Sequence, residues 1–215
     1  QGVGKVDGVY YYRQICFPDA QNGWVVSSIP RKEVIYTKDG GQTWNELSLG
    51  ILWEFAGAET WPASIYFLNP NEGWIGTGGA VARTTDGGNN WELLKVEFNW
   101  PIAPGAGLNV NGIYFANSME GWINCSIIEI RPGRNSGPLI LHTTNGGKTW
   151  EPQFVPGPGV IDWSGRIQFI NAREGWAEMR YGPLVKESRI LQTQDGGENW
   201  EPLPGTSYFE GGSFF

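Results

Sequence analysis

Apolar and polar positions recur in one order four times along the chain. Ile15 and Phe17 stand two apart and are followed by Gly23-Trp24; the set returns as Ile65, Phe67 and Gly73-Trp74, as Ile113, Phe115 and Gly121-Trp122, and as Ile167, Phe169 and Gly175-Trp176. The Phe-to-Trp offset is seven residues each time. A spacing of two puts the Ile and Phe of each pair on one face of a strand, which predicts all eight as core. A polar loop such as Pro18 to Asn22 then reverses the chain, and the Gly-Trp opens a second strand.

A second block follows in each repeat: Thr37-Lys-Asp39-Gly-Gly41-Gln-Thr-Trp44, Thr84-Thr-Asp86-Gly-Gly88-Asn-Asn-Trp91, Thr143-Thr-Asn145-Gly-Gly147-Lys-Thr-Trp150 and Thr193-Gln-Asp195-Gly-Gly197-Glu-Asn-Trp200. Each predicts a third strand ending in Thr, a tight turn whose glycines take the positive φ it needs, and a fourth strand opened by the Trp. The block's Asp side chain accepts hydrogen bonds from its own turn, and its Trp fills the layer between repeats, so Asp39, Asp86, Asn145 and Asp195 and Trp44, Trp91, Trp150 and Trp200 are read as structural. Asn145 can accept the same bonds without the charge. Box tryptophans are 47 to 59 residues apart. Four antiparallel strands in about 50 residues make one propeller blade. The expectation is an all-β chain: a small β-propeller of four blades with four antiparallel strands each. It is read as one domain over residues 1–215, with repeat units at about 10–48, 62–97, 108–155 and 163–203 and the ring closed near the termini. The alternative is an arc of a larger ring.

The second block resembles the Asp-box, or bacterial neuraminidase repeat, of form [ST]-x-D-x-G-x-[TS]-W. With its F-x6-W hairpin, the whole unit is similar to the repeat of the photosystem II stability and assembly factor family, over nearly the entire chain. That resemblance implies a non-catalytic module that binds a protein partner or a membrane-protein complex, in relatives through an arginine-rich patch. Asp-boxes also occur in glycosidases and sialidases, which implies a less favoured enzymatic alternative. Sialidases of that kind need an arginine triad and a Tyr/Glu pair, which this shorter chain does not match. A glycosidase would need two facing carboxylates, for which Glu54, Glu59 and Asp162 are the candidates.

Four blades sort the loops onto two faces. The first-to-second strand turns and the boxes share one face; the second-to-third strand connections and the blade-to-blade links share the other. Subtracting the eight repeat tryptophans from twelve leaves Trp53, Trp61, Trp100 and Trp163, all on those links. Arg31, Arg131, Arg134, Arg180 and Arg189 fall in the connections of the same face. Aromatic and Arg side chains dominate interface energetics, so these nine residues are the candidate binding set. Two other readings stay open: the loops fold their aromatics over the channel mouth as a cap, or the exposed indoles stack on a glycan.

Composition narrows the classes further. With 32 Gly and 14 Pro among 215 residues, long helices are not expected, and no apolar stretch is long enough to span a membrane as a helix. A net charge of -7 opposes a nucleic-acid partner. Cys16 and Cys125 are too few for a disulfide framework, lack zinc-site spacing, and are expected to be small buried apolar residues. His142 is the sole histidine and is expected to be packed; no metal, cofactor or catalytic residue is assigned. A chain starting at Gln1 is read as a mature extracytoplasmic product, secreted or periplasmic, after loss of a signal peptide.

Overall fold

The computed structural model describes residues 12–27, 34–47, 49, 62–96, 107–128, 137–154, 164–180 and 188–205. Each repeat folds as a four-stranded antiparallel meander. Blade 1 comprises β1 (Tyr12–Cys16), β2 (Gly23–Ser27), β3 (Val34–Thr37) and β4 (Asn45–Leu47); blade 2 comprises β5 (Ser64–Phe67), β6 (Gly73–Gly76), β7 (Ala80–Thr84) and β8 (Glu92–Lys95). Blade 3 comprises β9 (Gly107–Phe115), β10 (Gly121–Ile128), β11 (Gly137–Thr143) and β12 (Glu151–Phe154). Blade 4 comprises β13 (Ser164–Phe169), β14 (Gly175–Arg180), β15 (Ser188–Thr193) and β16 (Glu201–Pro202). The chain is all-β, and these four sheets are propeller blades. Blades 1 and 2 belong to one compact unit, Gln1–Val96, and blades 3 and 4 to a second, Glu97–Phe215.

The seven-residue offset has a steric cause. Phe67 pairs with Gly73, Phe115 with Gly121 and Phe169 with Gly175 directly across the first hairpin. The ring folds over the glycine: a methyl group at Gly73 would sit 2.5 Å from the Phe67 ring, and Gly23, Gly121 and Gly175 are covered by Phe17, Phe115 and Phe169 in the same way. Only a residue without a side chain fits beneath the ring.

The next residue, the Gly-Trp tryptophan, reaches the following blade. In the first unit Trp24 stacks on Phe67 with centroids 3.6 Å apart and planes 9° apart, and Trp91 meets the other side of that phenyl edge-on at 6.2 Å. The second unit repeats this arrangement, with Trp122 on Phe169 at 4.1 Å and Trp200 edge-on at 5.8 Å. The edge-on contacts are a favoured aromatic geometry, and the stacked pairs seal one blade against the next through apolar area. Backbone contacts add register: Gln14 Oε1 accepts from the Ile65 N–H at 3.1 Å, Cys16 Sγ from the Phe67 N–H at 3.2 Å, and Asn124 Nδ2 donates to the Glu178 carbonyl at 3.1 Å. Gly112 lets β9 lie against β13, since a methyl there would come within 2.8 Å of the Ile167 nitrogen.

One core expectation needs correction. Ile65, Phe67, Ile113, Phe115, Ile167 and Phe169 are at most 5% exposed, whereas Ile15 is 61% and Phe17 42% exposed. The β1 side chains alternate, so Gln14 and Cys16 face blade 2 while Ile15 and Phe17 point away from it. The predicted ring closure near the termini falls outside the described residues.

Candidate functional site

The box face is built from turns that saturate their own polar groups. Both glycines of every box take φ between +70° and +95°, the left-handed region that a side chain would strain. The box Thr hydroxyl accepts the second glycine's N–H at 2.8 to 3.0 Å and donates to the Asp or Asn Oδ1 at 2.7 to 3.0 Å. That Oδ1 also accepts the N–H four residues on: Thr43, Asn90, Thr149 and Asn199. The second oxygen accepts from the Thr43 hydroxyl in blade 1 and from the Asn90 and Asn199 amides in blades 2 and 4. In blade 3 the polarity reverses, and Asn145 Nδ2 donates to the Thr149 hydroxyl at 2.7 Å. All four box turns thus share one hydrogen-bonding scheme within the turn, Asn145 included.

These bonds favour the ionised carboxylate. The hydrogen bonds from Thr43 lower the pKa of Asp39 to about 2. Asp86 falls to about 2 chiefly through the Asn90 N–H, and Asp195 to about 2 chiefly through the Asn199 amide. Carboxylates so poised are poor proton carriers at neutral pH, where general acid–base work calls for a pKa near the operating value.

A second set of turn residues carries no mark in the box motif. Asp19, Asn69, Asn117 and Asn171, each two residues after the repeat Phe, accept paired backbone N–H groups in the first hairpin turn. That turn is then tied to the box of its own blade, where Gly40, Gly87, Gly146 and Gly196 donate to the carbonyls of Gln21, Asn71, Met119 and Arg173 at 2.7 to 2.8 Å. Both loops thus lie at one end of each blade, as expected. The signal was present as a recurring Asx two residues past Phe.

The residue before each box Thr also has a shared place, opposite the Gly-Trp tryptophan: Tyr36 to Trp24, Arg83 to Trp74, His142 to Trp122 and Gln192 to Trp176. In blade 2 Arg83 lies 5.6 Å from the Trp74 ring centre and 2.6 Å from Glu72. In blade 3 His142 stacks on Trp122 at 4.7 Å, with Nε2 3.6 Å from Glu120 Oε1, too long for a hydrogen bond. Burial lowers the His142 pKa, and nearby Glu120 only partly opposes it. The packed role expected for His142 agrees with this stacking. Neither Cys16 nor Cys125 forms a disulfide, and burial raises both thiols. Among the described residues no group of His, Cys, Asp and Glu is arranged to hold a metal ion, and no helix is long and apolar enough to cross a membrane.

Of the candidate binding set, Trp53, Trp61, Trp100, Trp163, Arg31, Arg131 and Arg134 lie outside the described residues, as do the carboxylate candidates Glu54, Glu59 and Asp162. Arg180 and Arg189 lie in the β14–β15 hairpin, where Arg180 pairs with Ser188 and Met179 with Arg189, at the end away from the box. Blade 2 differs from its neighbours on this face: its second and third strands are joined by the short turn Thr77-Gly78-Gly79, with Gly79 at φ +74°.

Comparison with known proteins follows the same repeat. The family model described as "Photosynthesis system II assembly factor YCF48" matches residues 6–113 and again 51–157, two matches offset by about one blade and together covering more than half of the chain. The photosystem II stability/assembly factor HCF136, chloroplastic, of Arabidopsis thaliana is 33% identical over 78 residues, 35% of this chain and 18% of that protein. The photosystem II assembly lipoprotein Ycf48 of Synechococcus sp. (strain CC9902) is 26% identical over 154 residues, 68% of this chain and 38% of that protein. The chain thus spans less than two fifths of the length of these curated relatives. Among solved structures, YCF48 bound to D1 peptide aligns over 95% of this chain and 70% of that chain at 19% identity, with a TM-score of 0.49. An ancestral GH74 enzyme aligns over 90% of this chain and 25% of that chain at 16% identity with a TM-score of 0.56, a likeness of fold alone. The repeat, its box turns and the family match lead to one assignment: this chain belongs to the photosystem II assembly factor YCF48 family.

Proposed function

We propose that the chain is a non-catalytic assembly module that holds a protein segment of a photosystem-type membrane complex on the loop face opposite the boxes, on the extracytoplasmic side of a membrane. The observation that carries this is the family match across residues 6–157, the family being described as an assembly factor. Two further points support it. A solved YCF48 is described as bound to D1 peptide, and the relatives are described as chloroplastic or as a lipoprotein. On the box face, the Asp and Asn side chains are committed to their own turns, which leaves the Trp- and Arg-bearing loops as the binding set. The likeness to a GH74 enzyme concerns fold and lends no support to glycan cleavage.

Fluorescence anisotropy of a labelled D1 peptide against the full chain tests the proposal. Saturable binding is expected, weakened at least about tenfold by Arg131→Ala with Arg134→Ala and by Trp100→Ala, as for central interface anchors. Absence of binding, or binding indifferent to all three substitutions, overturns it.

A further inference from the structure

The blade 3 box departs from the other three by an amide, and that amide is followed by glycine. Asn-Gly occurs three times in the chain, at Asn22-Gly23, Asn111-Gly112 and Asn145-Gly146. It is the dipeptide most prone to lose ammonia, because a glycine carries no side chain to hinder its own nitrogen from reaching the neighbouring amide carbon. At the last of these sites the Gly146 nitrogen gives up its proton and bonds to Asn145 Cγ, the Cγ–Nδ2 bond breaks, and ammonia leaves with that proton. Water then opens the cyclic imide. Addition at Cγ gives aspartate at 145; addition at the main-chain carbonyl gives isoaspartate, in which the backbone runs through the side chain.

The three sites stand in different surroundings. Asn22 donates through Nδ2 to both oxygens of Asp19 at 2.9 and 3.1 Å, so an acid there would set two carboxylates against each other. Asn111 donates through Nδ2 to Ser126 Oγ at 2.9 Å, and Gly112 lies close against β13. Of the three, only Asn145 aligns with an aspartate in every other blade: Asp39, Asp86 and Asp195. Blade 1 has the same neighbour as well, since the Thr43 hydroxyl donates to Asp39 Oδ2 where the Thr149 hydroxyl accepts from Asn145 Nδ2. Rotation of one hydroxyl is therefore enough to fit aspartate at 145. Isoaspartate does not fit. Its extra backbone carbon shifts Gly146 and Gly147 away from the Met119 carbonyl and the Thr143 hydroxyl that receive their N–H groups.

The closed turn also holds the reaction off. The attacking Gly146 N–H is engaged with the Met119 carbonyl at 2.7 Å. Asn145 Oδ1 is held by the Thr143 hydroxyl at 3.0 Å and the Thr149 N–H at 2.9 Å, and Nδ2 by the Thr149 hydroxyl at 2.7 Å. Neither group can turn toward the other until the two loops at this end of blade 3 release. We propose that Asn145-Gly146 is a self-converting modification site, dormant in the closed box turn, whose aspartate product gives blade 3 the carboxylate that the other boxes carry. Time spent open is thereby recorded in the chain as one added negative charge at the blade 3 box. The inference concerns one turn and is independent of the loop-face proposal.

Peptide mapping by mass spectrometry tests it on the full chain, held at mildly alkaline pH either folded or in urea, with aspartate and isoaspartate products separated by chromatography. In urea all three Asn-Gly sites should convert. In the folded chain Asn145 should convert at least about tenfold more slowly, since only the open fraction reacts. Thr149→Val removes the hydroxyl that holds Nδ2, at an exposed position of the turn, and should speed conversion at 145 while Asn22 and Asn111 keep the parent rate. Asn145→Asp should match or exceed the parent's urea midpoint at neutral pH. Conversion at 145 as fast folded as in urea, or unmoved by Thr149→Val, overturns the proposal. Acceleration at all three sites would mean a loosened fold and overturns the turn as the gate. A lower midpoint for Asn145→Asp overturns the fit of the product.

Discussion

Truncating Phe67 and Phe17 to alanine, one at a time, removes the same atoms from the same place in the repeat, yet the structure sets very different costs. Phe67 is 2% exposed, lies flat on Trp24 at 3.6 Å and meets Trp91 edge-on at 6.2 Å. Removing its ring leaves a void walled by two indoles and the Gly73 backbone, and buried Phe-to-Ala changes cost about 3–5 kcal/mol. The lost ring pairs, worth about 0.5–1.5 kcal/mol beyond area, place it in the upper part of that range. Phe17 is 42% exposed and, among the described residues, lies over Gly23 and meets Trp44 edge-on, so no closed cavity forms. Only a little over half of its burial is at stake, and full burial of such a ring is worth about 1.5–3 kcal/mol, so a loss of roughly 1 kcal/mol is expected. The assay is urea unfolding followed by tryptophan fluorescence. With a slope of about 2–3 kcal/mol per molar urea, Phe67→Ala lowers the midpoint by more than about 1 M and Phe17→Ala by about half of that or less. If the two compact units unfold separately, the shift appears in the transition of the unit holding blades 1 and 2. Equal shifts for the two variants would refute the claim that the two rings differ in burial as the structure has them.

Other outcomes follow from the same geometry. Gly112→Ala places a methyl group 2.8 Å from the Ile167 nitrogen and 2.9 Å from the Gly165 carbonyl oxygen, backbone atoms that cannot rotate away. A loss of about 1–3 kcal/mol in thermal unfolding is expected, and an unchanged melting point would contradict the close approach of β9 and β13. Asp39, Asp86 and Asp195 titrate at about 2 in the fold against an ordinary 3.8, so their contribution is complete above the unfolded value and fades as pH falls through about 2. Urea midpoints between pH 6 and 2 should show this decline, and Asp39→Asn should flatten it while keeping the fold, since Thr43 stands where Thr149 serves Asn145. His142 titrates below its ordinary 6.5 because burial disfavours the cation, so stability should decrease as pH drops below 6.5. His142→Gln, the residue blade 4 uses as Gln192, should remove that part of the profile in melts at pH 7.5 and 5.5; a profile identical to the parent's would count against it.

Much of the architecture was legible because each repeat carries its own local geometry. Gly-Gly in the boxes announces two positive φ values, and Phe seven residues before Trp encodes a hairpin register in which the ring needs a bare glycine opposite. The Asn145 substitution was legible too, since an amide oxygen accepts the Thr149 N–H as a carboxylate would. The Asx residues at 19, 69, 117 and 171 recur at a fixed offset from Phe, but the loops around them vary, which weakens the signal. The candidate loop face was legible only as composition: indoles and guanidinium groups were counted on one side, but a loop's chemistry depends on which side chains converge.

What the sequence alone determined is everything that turns, hairpins and strand alternation dictate: four blades, the box turns, and which residues of each strand share a face. Those are short-range consequences of sterics and backbone hydrogen bonding, so four similar segments give four similar sheets. What only the tertiary structure decided is which of those faces is covered. Phe17 and Phe67 occupy identical motifs, and nothing within either repeat separates them. They differ because burial is a property of the neighbouring blade: Phe67 has Trp24 against it, whereas Phe17 is 42% exposed.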